Sequence, residues 1–284
     1  MGIPILILGE SGTGKSASMR NFSAGEIALA NVAGKPLPFR LHGGGRFVET
    51  INTDSYRAIK KFMQESAAQT IVIDDAQYLM ANEFMRRSSE RGYDKFTEIA
   101  VNFWDLVNAV RELPESKIVV FMAHIDRDNN GNEKIKTIGK MLDEKITVEG
   151  MFTIVLKTSV SDGKYSFLTQ NSGHDTVKSP IGLFPATEID NDLKAVIGNV
   201  RAYYFGDGQT VKEEPPTTPP PMDEDAPPVV QTEEAKPETV EQLPQEQETP
   251  KRTRRTRRER PAPPPVQEAP RADEEQADNE ELPF

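Results

Sequence analysis

An eight-residue stretch near the start of the chain has the pattern G-x-x-x-x-G-K-[ST], and it strongly constrains how this chain folds. Its residues are Gly9, Glu10, Ser11, Gly12, Thr13, Gly14, Lys15 and Ser16. The apolar run at 3–8 before it is typical of a buried parallel strand, and the residues from Ser16 onward can begin a helix. A glycine-rich turn between a strand and a helix points its backbone N–H groups at phosphate oxygens. The pattern therefore predicts a phosphate-binding loop, or P-loop.

The residue types in this loop fit the separate tasks of binding a nucleoside triphosphate and its metal ion. Gly9, Gly12 and Gly14 permit the positive φ angles of a tight anion-binding turn. Lys15 supplies a mobile cation for the β- and γ-phosphates, and the Ser16 hydroxyl is a Mg²⁺ ligand. We therefore expect ATP and Mg²⁺ as cofactors.

A second apolar run, at 70–75, ends in two aspartates. We expect Asp74 to hold Mg²⁺ through water and Asp75 to polarise the attacking water as the catalytic base. Glu49 and Asp54, near the end of another predicted strand, are alternative candidates for that base.

Composition narrows the class of protein. The 284 residues include no cysteine, which excludes disulfides and cysteine-ligated metal sites. The three histidines lie far apart, and no signal peptide or apolar stretch of about 18 residues is present. We expect a soluble cytoplasmic protein that does not associate with membranes.

Charge divides the chain into two parts. Residues 207–284 contain 10 Lys or Arg, 20 Asp or Glu, and 16 of the 22 prolines. Such a segment has too little apolar surface to offset the entropy lost on ordering. We therefore predict an α/β domain over 1–206 and a disordered, acidic, proline-rich tail over 207–284.

Within the domain, hydrophobic periodicity predicts alternating strands and helices, and then a hairpin. The further predicted strands are 26–32, 47–51, 117–123, 151–159 and 165–169. The predicted helices are 54–64, 94–112 and one from Asp190 or Asn191 to Phe205. Residues 161–163 (Ser-Asp-Gly) are typical of a hairpin turn. This order favours a mostly parallel sheet with an antiparallel hairpin edge.

The P-loop, the strand ending in Asp74 and Asp75, the strand 117–123 with His124 at its tip and the later hairpin together resemble the RecA-like ATPase core. More narrowly, the chain is similar to short phage-encoded RecA-like ATPases, which include single-strand annealing and recombination proteins; segments 137–142 and 179–184 add to the likeness. The resemblance covers about residues 1–205. It implies an ATPase that works on single-stranded DNA, as a homo-oligomer, in phage recombination or annealing. Because no polymerisation segment precedes the core, RecA-type filaments are in question.

The resemblance also implies DNA-facing loops after two strands, at 83–95 and 125–139. The candidate DNA contacts are Arg86, Arg87, Arg91 and Lys95 in the first loop and Arg127, Lys134 and Lys136 in the second. Tyr93 could stack on a base, whereas nearby acidic residues leave a solvated helix face as the alternative for the first loop. The glycine- and asparagine-rich second loop is expected to be mobile. By the same resemblance, His124 senses the γ-phosphate and passes its state to this loop.

The tail carries two further features. Residues 251–260 contain seven cations, which could contact nucleic acid or form a solvated charge block. The last residues, 278–284, resemble the acidic C-terminal tip of bacterial single-stranded DNA-binding proteins. The tip therefore implies recruitment of replication or repair proteins, or competition with DNA for the domain's own basic loops.

Three other function classes remain open. A phage motor or helicase-loader ATPase would need an arginine finger, for which Arg86, Arg87 and Arg201 are candidates. A P-loop small-molecule kinase is disfavoured by the paired aspartates and by the lack of an arginine-rich lid. A non-catalytic scaffold would use nucleotide only as a structural ligand. Lys140 or Lys178 could reach the nucleotide of a neighbouring subunit in an oligomer.

Overall fold

The computed structural model describes residues 1–41, 43–128 and 130–206. The predictions for the tail, which are its disorder, the basic cluster 251–260 and the tip 278–284, lie outside these described residues. None of the described helices is both long enough and apolar enough to cross a membrane.

The described residues form strands, α-helices and short helical turns. The strands are β1 (Ile3–Gly9), β2 (Ala28–Asn31), β3 (Glu49–Asn52), β4 (Thr70–Asp74), β5 (Ile118–Arg127), β6 (Glu133–Ile135), β7 (Ile154–Ser161), β8 (Lys164–Leu168) and β9 (Glu188–Asp190). The α-helices are α1 (Tyr56–Glu65), α2 (Gln77–Arg86), α3 (Asp94–Ala109) and α4 (Leu193–Phe205). Short 3₁₀ turns span Ser16–Asn21, Val110–Glu112 and Val148–Met151, and a π turn spans Met141–Lys145.

The strands form one sheet in the order β3-β2-β4-β5-β1-β7-β8-β9, and β6 pairs only with β5. Pairing is parallel from β3 through β7 and antiparallel between β7, β8 and β9. The predicted α/β class, with a mostly parallel sheet and an antiparallel hairpin edge, is therefore confirmed. Strand β5 lies between β1 and β4, so the ends of these three strands lie side by side at one edge of the sheet.

Both faces of the sheet are covered, because alternate residues of each central strand pack on opposite sides. In β1, Leu6 and Leu8 face a core that includes Phe103 and Phe121, under α1, α2 and α3. Ile5 and Ile7 face the second core, under α4 and the 3₁₀ turn that follows the P-loop. This two-sided burial explains the uninterrupted apolar run at the start of the chain.

Several local predictions differ from the structure. The expected helix after the P-loop is a short 3₁₀ turn. Helix α4 is capped by Asp192, whose carboxylate accepts the N–H groups of Lys194 and Ala195, rather than by Asp190 or Asn191. Strand β5 continues to Arg127 and forms a hairpin with β6, so part of the loop expected at 125–139 is regular structure. Helix α2 occupies much of the segment after Asp75, where no helix was predicted.

Candidate functional site

The P-loop lies at the end of β1 and is held against β7. A Cβ atom on Gly9 would lie 1.8 Å from Thr158 Oγ1, so only glycine fits there. Thr13 Oγ1 and Thr158 Oγ1 are hydrogen-bonded at 2.6 Å. Gly12 and Gly14 have φ angles of +80° and +96°, a conformation that L side chains rarely adopt. Gly12 and Gly14 therefore have the predicted positive φ angles, whereas Gly9 belongs to strand β1 and is required instead by its close contact with Thr158.

Lys15 is buried and folds back over the loop. Its Nζ donates hydrogen bonds to the Gly9 carbonyl at 2.9 Å and the Glu10 carbonyl at 2.7 Å. Burial lowers the pKa of Lys15, while the nearby Asp75 and Asp74 act in the opposite direction. An ammonium group held at the loop by neutral carbonyls can exchange these acceptors for phosphate oxygens, which fits the predicted role.

Ser16 and Asp74 bring two oxygen ligands together. The Ser16 hydroxyl donates a hydrogen bond of 3.0 Å to Asp74 Oδ1. Burial raises the pKa of Asp74 to about 6, although the bond from Ser16 opposes this shift. A hydroxyl beside a carboxylate is a pair of hard oxygen ligands that fits Mg²⁺, whose charge would favour the ionised aspartate.

Asp75 follows β4 with a φ of +59° and is held by two cationic or ionisable neighbours. Lys35 Nζ lies 3.1 Å from its Oδ2, and His124 Nε2 lies 3.4 Å from its Oδ1. Burial alone would raise the pKa of Asp75, but hydrogen bonds from His124 and Lys35 outweigh burial and lower it to about 2. Asp75 is therefore a carboxylate at neutral pH, suited to orienting a water and weak as a proton acceptor.

His124 was predicted at the tip of its strand, but it lies within β5, which continues to Arg127, and it is next to the end of the P-loop strand. In the sheet register it is opposite Gly9. Its ring packs edge-on against Tyr78, and its backbone N–H donates to Gln77 Oε1 at 3.2 Å. Because β5 continues beyond His124 into the hairpin with β6, this residue joins the site to the second predicted DNA loop.

The other two candidates for the catalytic base lie elsewhere. Glu49 is the first residue of β3 and is paired with Ala28, at the opposite edge of the sheet from the P-loop. Asp54 accepts bonds from Arg86 at 2.5 Å and Asn82 at 2.8 Å. Neither residue lines the cleft above the P-loop, and these positions argue against both alternatives.

The P-loop, Asp74, Asp75 and His124 line one cleft of about 530 Å³. Six further lining residues were not predicted as site residues, and they are Ala17, Asn31, Lys35, Pro36, Pro38 and Tyr165. Lys35 follows β2, which pairs with β4, and this neighbour relation places it beside Asp75. The Gly-Lys-Pro sequence around Lys35 indicates only a turn, so the sequence carried no signal for this role.

The basic residues of the first predicted DNA loop mainly tie α2 to its surroundings. Arg87 forms ion pairs with Glu83, Glu90 and Glu98. Lys95 is buried and donates to the carbonyls of Arg87 and Glu90. Arg86 pairs with Asp54, whereas Arg91 is exposed. A role for these residues in DNA binding stays a prediction, and the contacts of Arg87 and Lys95 argue against it for those two.

The second predicted DNA loop is linked to the P-loop by an ion pair. Arg127 Nη2 lies 3.2 Å from Glu10 Oε1 and 3.1 Å from Glu133 Oε1. Glu133 also pairs with Lys157 of β7. Lys134 lies on β6, and the exposed Lys136 follows it. These residues come together beside the P-loop, but their contact with DNA stays a prediction.

The arginine-finger candidates do not line the cleft. Arg201 on α4 donates to the Ser116 carbonyl and to Thr70 Oγ1, at the edge of the sheet opposite the P-loop. Lys140 pairs with Glu144 in the π turn. A role of any of these residues toward a neighbouring subunit stays a prediction.

A family model described as an AAA domain matches residues 1–180. The chain belongs to this AAA domain family. It therefore carries a P-loop ATPase domain, and the match includes the P-loop, Asp74, Asp75 and His124. Among curated proteins none matches the chain. The AAA match ends before β9 and α4, which the structure packs onto the same sheet.

Proposed function

We propose that this AAA domain is a Mg²⁺-dependent ATPase that acts on single-stranded DNA in phage recombination or annealing. The observation that carries the proposal is the meeting of three groups at one edge of the sheet. They are the Lys15 ammonium at the P-loop, the Ser16–Asp74 oxygen pair and the Asp75–His124 pair. These groups supply phosphate binding, metal ligation and water orientation, the three requirements of phosphoryl transfer to water.

Each side chain has a defined task in the proposed reaction. The loop amides and Lys15 bind the phosphates, and Ser16 and Asp74 hold Mg²⁺, which neutralises phosphate charge. Asp75 remains ionised because His124 and Lys35 hold its carboxylate, so it can accept a hydrogen bond from the attacking water. The His124 side chain contacts Asp75, and the strand that carries it, β5, continues into the hairpin with β6.

The DNA part of the proposal is supported by the β5–β6 hairpin. It is joined to the cleft by the backbone of β5 and by the Glu10–Arg127 ion pair. Lys136 is exposed beside it and can contact the phosphates of a strand. A change at the nucleotide therefore has two routes to a surface that could bind DNA.

The test is phosphate release with and without an oligo-dT strand, at two salt concentrations, in Mg²⁺ and in EDTA. We expect Mg²⁺-dependent hydrolysis that the strand accelerates, with more acceleration at low salt. Lys15→Ala should lose ATP binding and retain the circular dichroism spectrum of the wild type. Normal hydrolysis by Lys15→Ala would reject the site. If the protein did not bind DNA and DNA did not change its rate of hydrolysis, only the DNA part of the proposal would be rejected.

The same assay separates the other function classes. Turnover that requires a small acceptor molecule would indicate a kinase, and stimulation by a protein would indicate a motor or helicase loader.

We further propose that the protein works as a homo-oligomer in the host cytoplasm and that its tail tip, 278–284, recruits replication or repair proteins. Light scattering with and without ATP tests the first point, and pull-down with and without residues 278–284 tests the last.

A further inference from the structure

The hairpin of β7 and β8 rises beside the P-loop and carries an aromatic side chain, Tyr165. In the register of the sheet, Leu8 of β1 is opposite Lys157, so β7 runs on after β1 has ended. The three residues of β7 after Thr158 rise about 3.3 Å each, so the hairpin extends about 10 Å beyond the end of β1. Tyr165 pairs with Val160 in this extension. The side chain is thereby placed above the end of β1, where it lines the cleft.

The Tyr165 ring lies against the bare backbone of the P-loop. A Cβ atom on Gly14 would lie 2.9 Å from Tyr165 Cδ1, which shows how close the ring and the loop are. The side chain lines the cleft and is 46 % exposed. A large aromatic ring therefore stays half exposed at the mouth of the candidate nucleotide site.

The ionisable side chains of the cleft interact with one another, whereas the Tyr165 ring contacts backbone. Lys15, Lys35, Asp74, Asp75 and His124 are connected by hydrogen bonds, ion pairs or direct electrostatic interactions. The ring of Tyr165 instead contacts Gly14, which has no side chain. A nucleotide has the same asymmetry, because a polyanion is at one end and a flat, largely apolar base is at the other. Bases stack on aromatic rings in a sequence-tolerant way.

The backbone that carries the ring is also held in place. The Asn191 N–H donates to the Tyr165 carbonyl at 3.4 Å, and Asn191 is only 2 % exposed. Arg20, in the turn after the P-loop, donates to the Asn191 carbonyl at 2.6 Å. Strand β8 and the P-loop turn are therefore fastened to the same buried residue. Because the backbone at Tyr165 is fixed, less conformational entropy is lost when a base stacks on its ring.

We propose that Tyr165 is the platform on which the base of the bound nucleotide stacks. From there the phosphates extend over the loop to Lys15, beside the Ser16–Asp74 pair. This proposal rests on the proposed ATP binding and adds the residue that binds the nucleoside part.

The experiment compares ATP with inorganic tripolyphosphate, which has the phosphates and no base. Full-length wild type, Tyr165→Ala, Tyr165→Phe and Lys15→Ala are titrated calorimetrically with each ligand in Mg²⁺. Tyr203→Ala is the matched control, because Tyr203 is 47 % exposed and lies on α4. We expect Tyr165→Ala to weaken ATP binding by about 10- to 100-fold and tripolyphosphate binding by less than about twofold. Tyr165→Phe and Tyr203→Ala should resemble the wild type, and Lys15→Ala should lose both ligands.

A second readout is independent of tripolyphosphate. The fluorescence of an etheno-adenine analogue of ATP is quenched when its base stacks, so bound analogue should be brighter on Tyr165→Ala than on the wild type. Equal weakening of both ligands would show that the ring only supports the loop, and unchanged ATP affinity would place the base elsewhere; either result overturns the proposal. If the wild type bound neither ligand, the proposed ATP binding itself would be rejected, a distinct result.

Discussion

Replacing Asp74 by asparagine should stabilise the nucleotide-free protein while removing its affinity for Mg·ATP. Burial raises the pKa of this carboxyl from 3.8 to about 6. Each pKa unit corresponds to about 1.4 kcal/mol, so the ionised Asp74 costs the native state about 3 kcal/mol at neutral pH. Asparagine carries no charge and has nearly the same shape. We expect it to recover about 2 kcal/mol, because a neutral amide accepts a weaker hydrogen bond from Ser16.

The sign of the pH dependence makes the prediction specific. The native pKa lies above the unfolded one, so the native state binds its proton more tightly and the penalty grows as pH rises from about 4 to 6. Below about pH 4 both states are protonated, and the advantage of Asp74→Asn should disappear. Urea unfolding of the full chain in EDTA, at about pH 8 and about pH 4, measures the difference.

The adjacent aspartate provides the matched control. Hydrogen bonds from His124 and Lys35 hold the pKa of Asp75 at about 2, so its ionised form stabilises the native state above about pH 4. Asp75→Asn should therefore destabilise the protein at neutral pH, opposite in direction to Asp74→Asn. Our account of the cleft is refuted if Asp74→Asn is no more stable than the wild type at pH 8, or if its advantage persists at pH 4.

Three further variants test the cleft and its surroundings. Gly9→Ala should lower both the stability of the fold and the affinity for ATP, because the new Cβ would clash with Thr158 Oγ1. The double variant Gly9→Ala/Thr158→Ala should recover part of the stability in thermal melts and part of the affinity in titrations. Lys35→Ala removes a cation from Asp75, so the pKa of the Asp75 carboxyl should rise from about 2 in an NMR titration; an unchanged pKa would show that Lys35 does not hold this carboxylate. Arg127→Ala should lower the ratio of DNA-stimulated to basal hydrolysis; an unchanged ratio would remove Arg127 from the coupling route.

The sequence predicted those parts of the site that are encoded by local pattern. The P-loop, Asp74, Asp75 and His124 each follow a recognisable apolar run, and parallel strands bring such ends to one edge. Lys35 and Tyr165 were not predicted, because their positions depend on which strands are neighbours. Lys35 lies in the cleft since β2 pairs with β4, and Tyr165 does so since β8 folds back on β7.

Charge composition was a poor guide to the first predicted DNA loop. The sequence shows Arg87 and Lys95 in a stretch of four cations and three acids, but it does not show which acid pairs with which cation. In the structure Glu83 on α2 and Glu98 on α3 converge on Arg87, and the ammonium of Lys95 is bound by carbonyl groups. Helix α2 was missed for a related reason, since its buried residues Leu79 and Met80 are adjacent and do not form a long amphipathic stripe.

The two routes from the cleft to the β5–β6 hairpin should differ in their response to salt. Glu10 and Arg127 are each about 60 % exposed, so their ion pair contributes little in water and is screened by salt. His124 belongs to β5 itself, where Gln77 binds its N–H and Lys136 its carbonyl, and neither bond depends on surface charge. With DNA kept saturating, stimulation that survives high salt must therefore pass through His124. If high salt abolished the stimulation of hydrolysis by DNA, and Arg127→Ala lacked this stimulation at low salt as well, the coupling would be assigned to the ion pair instead.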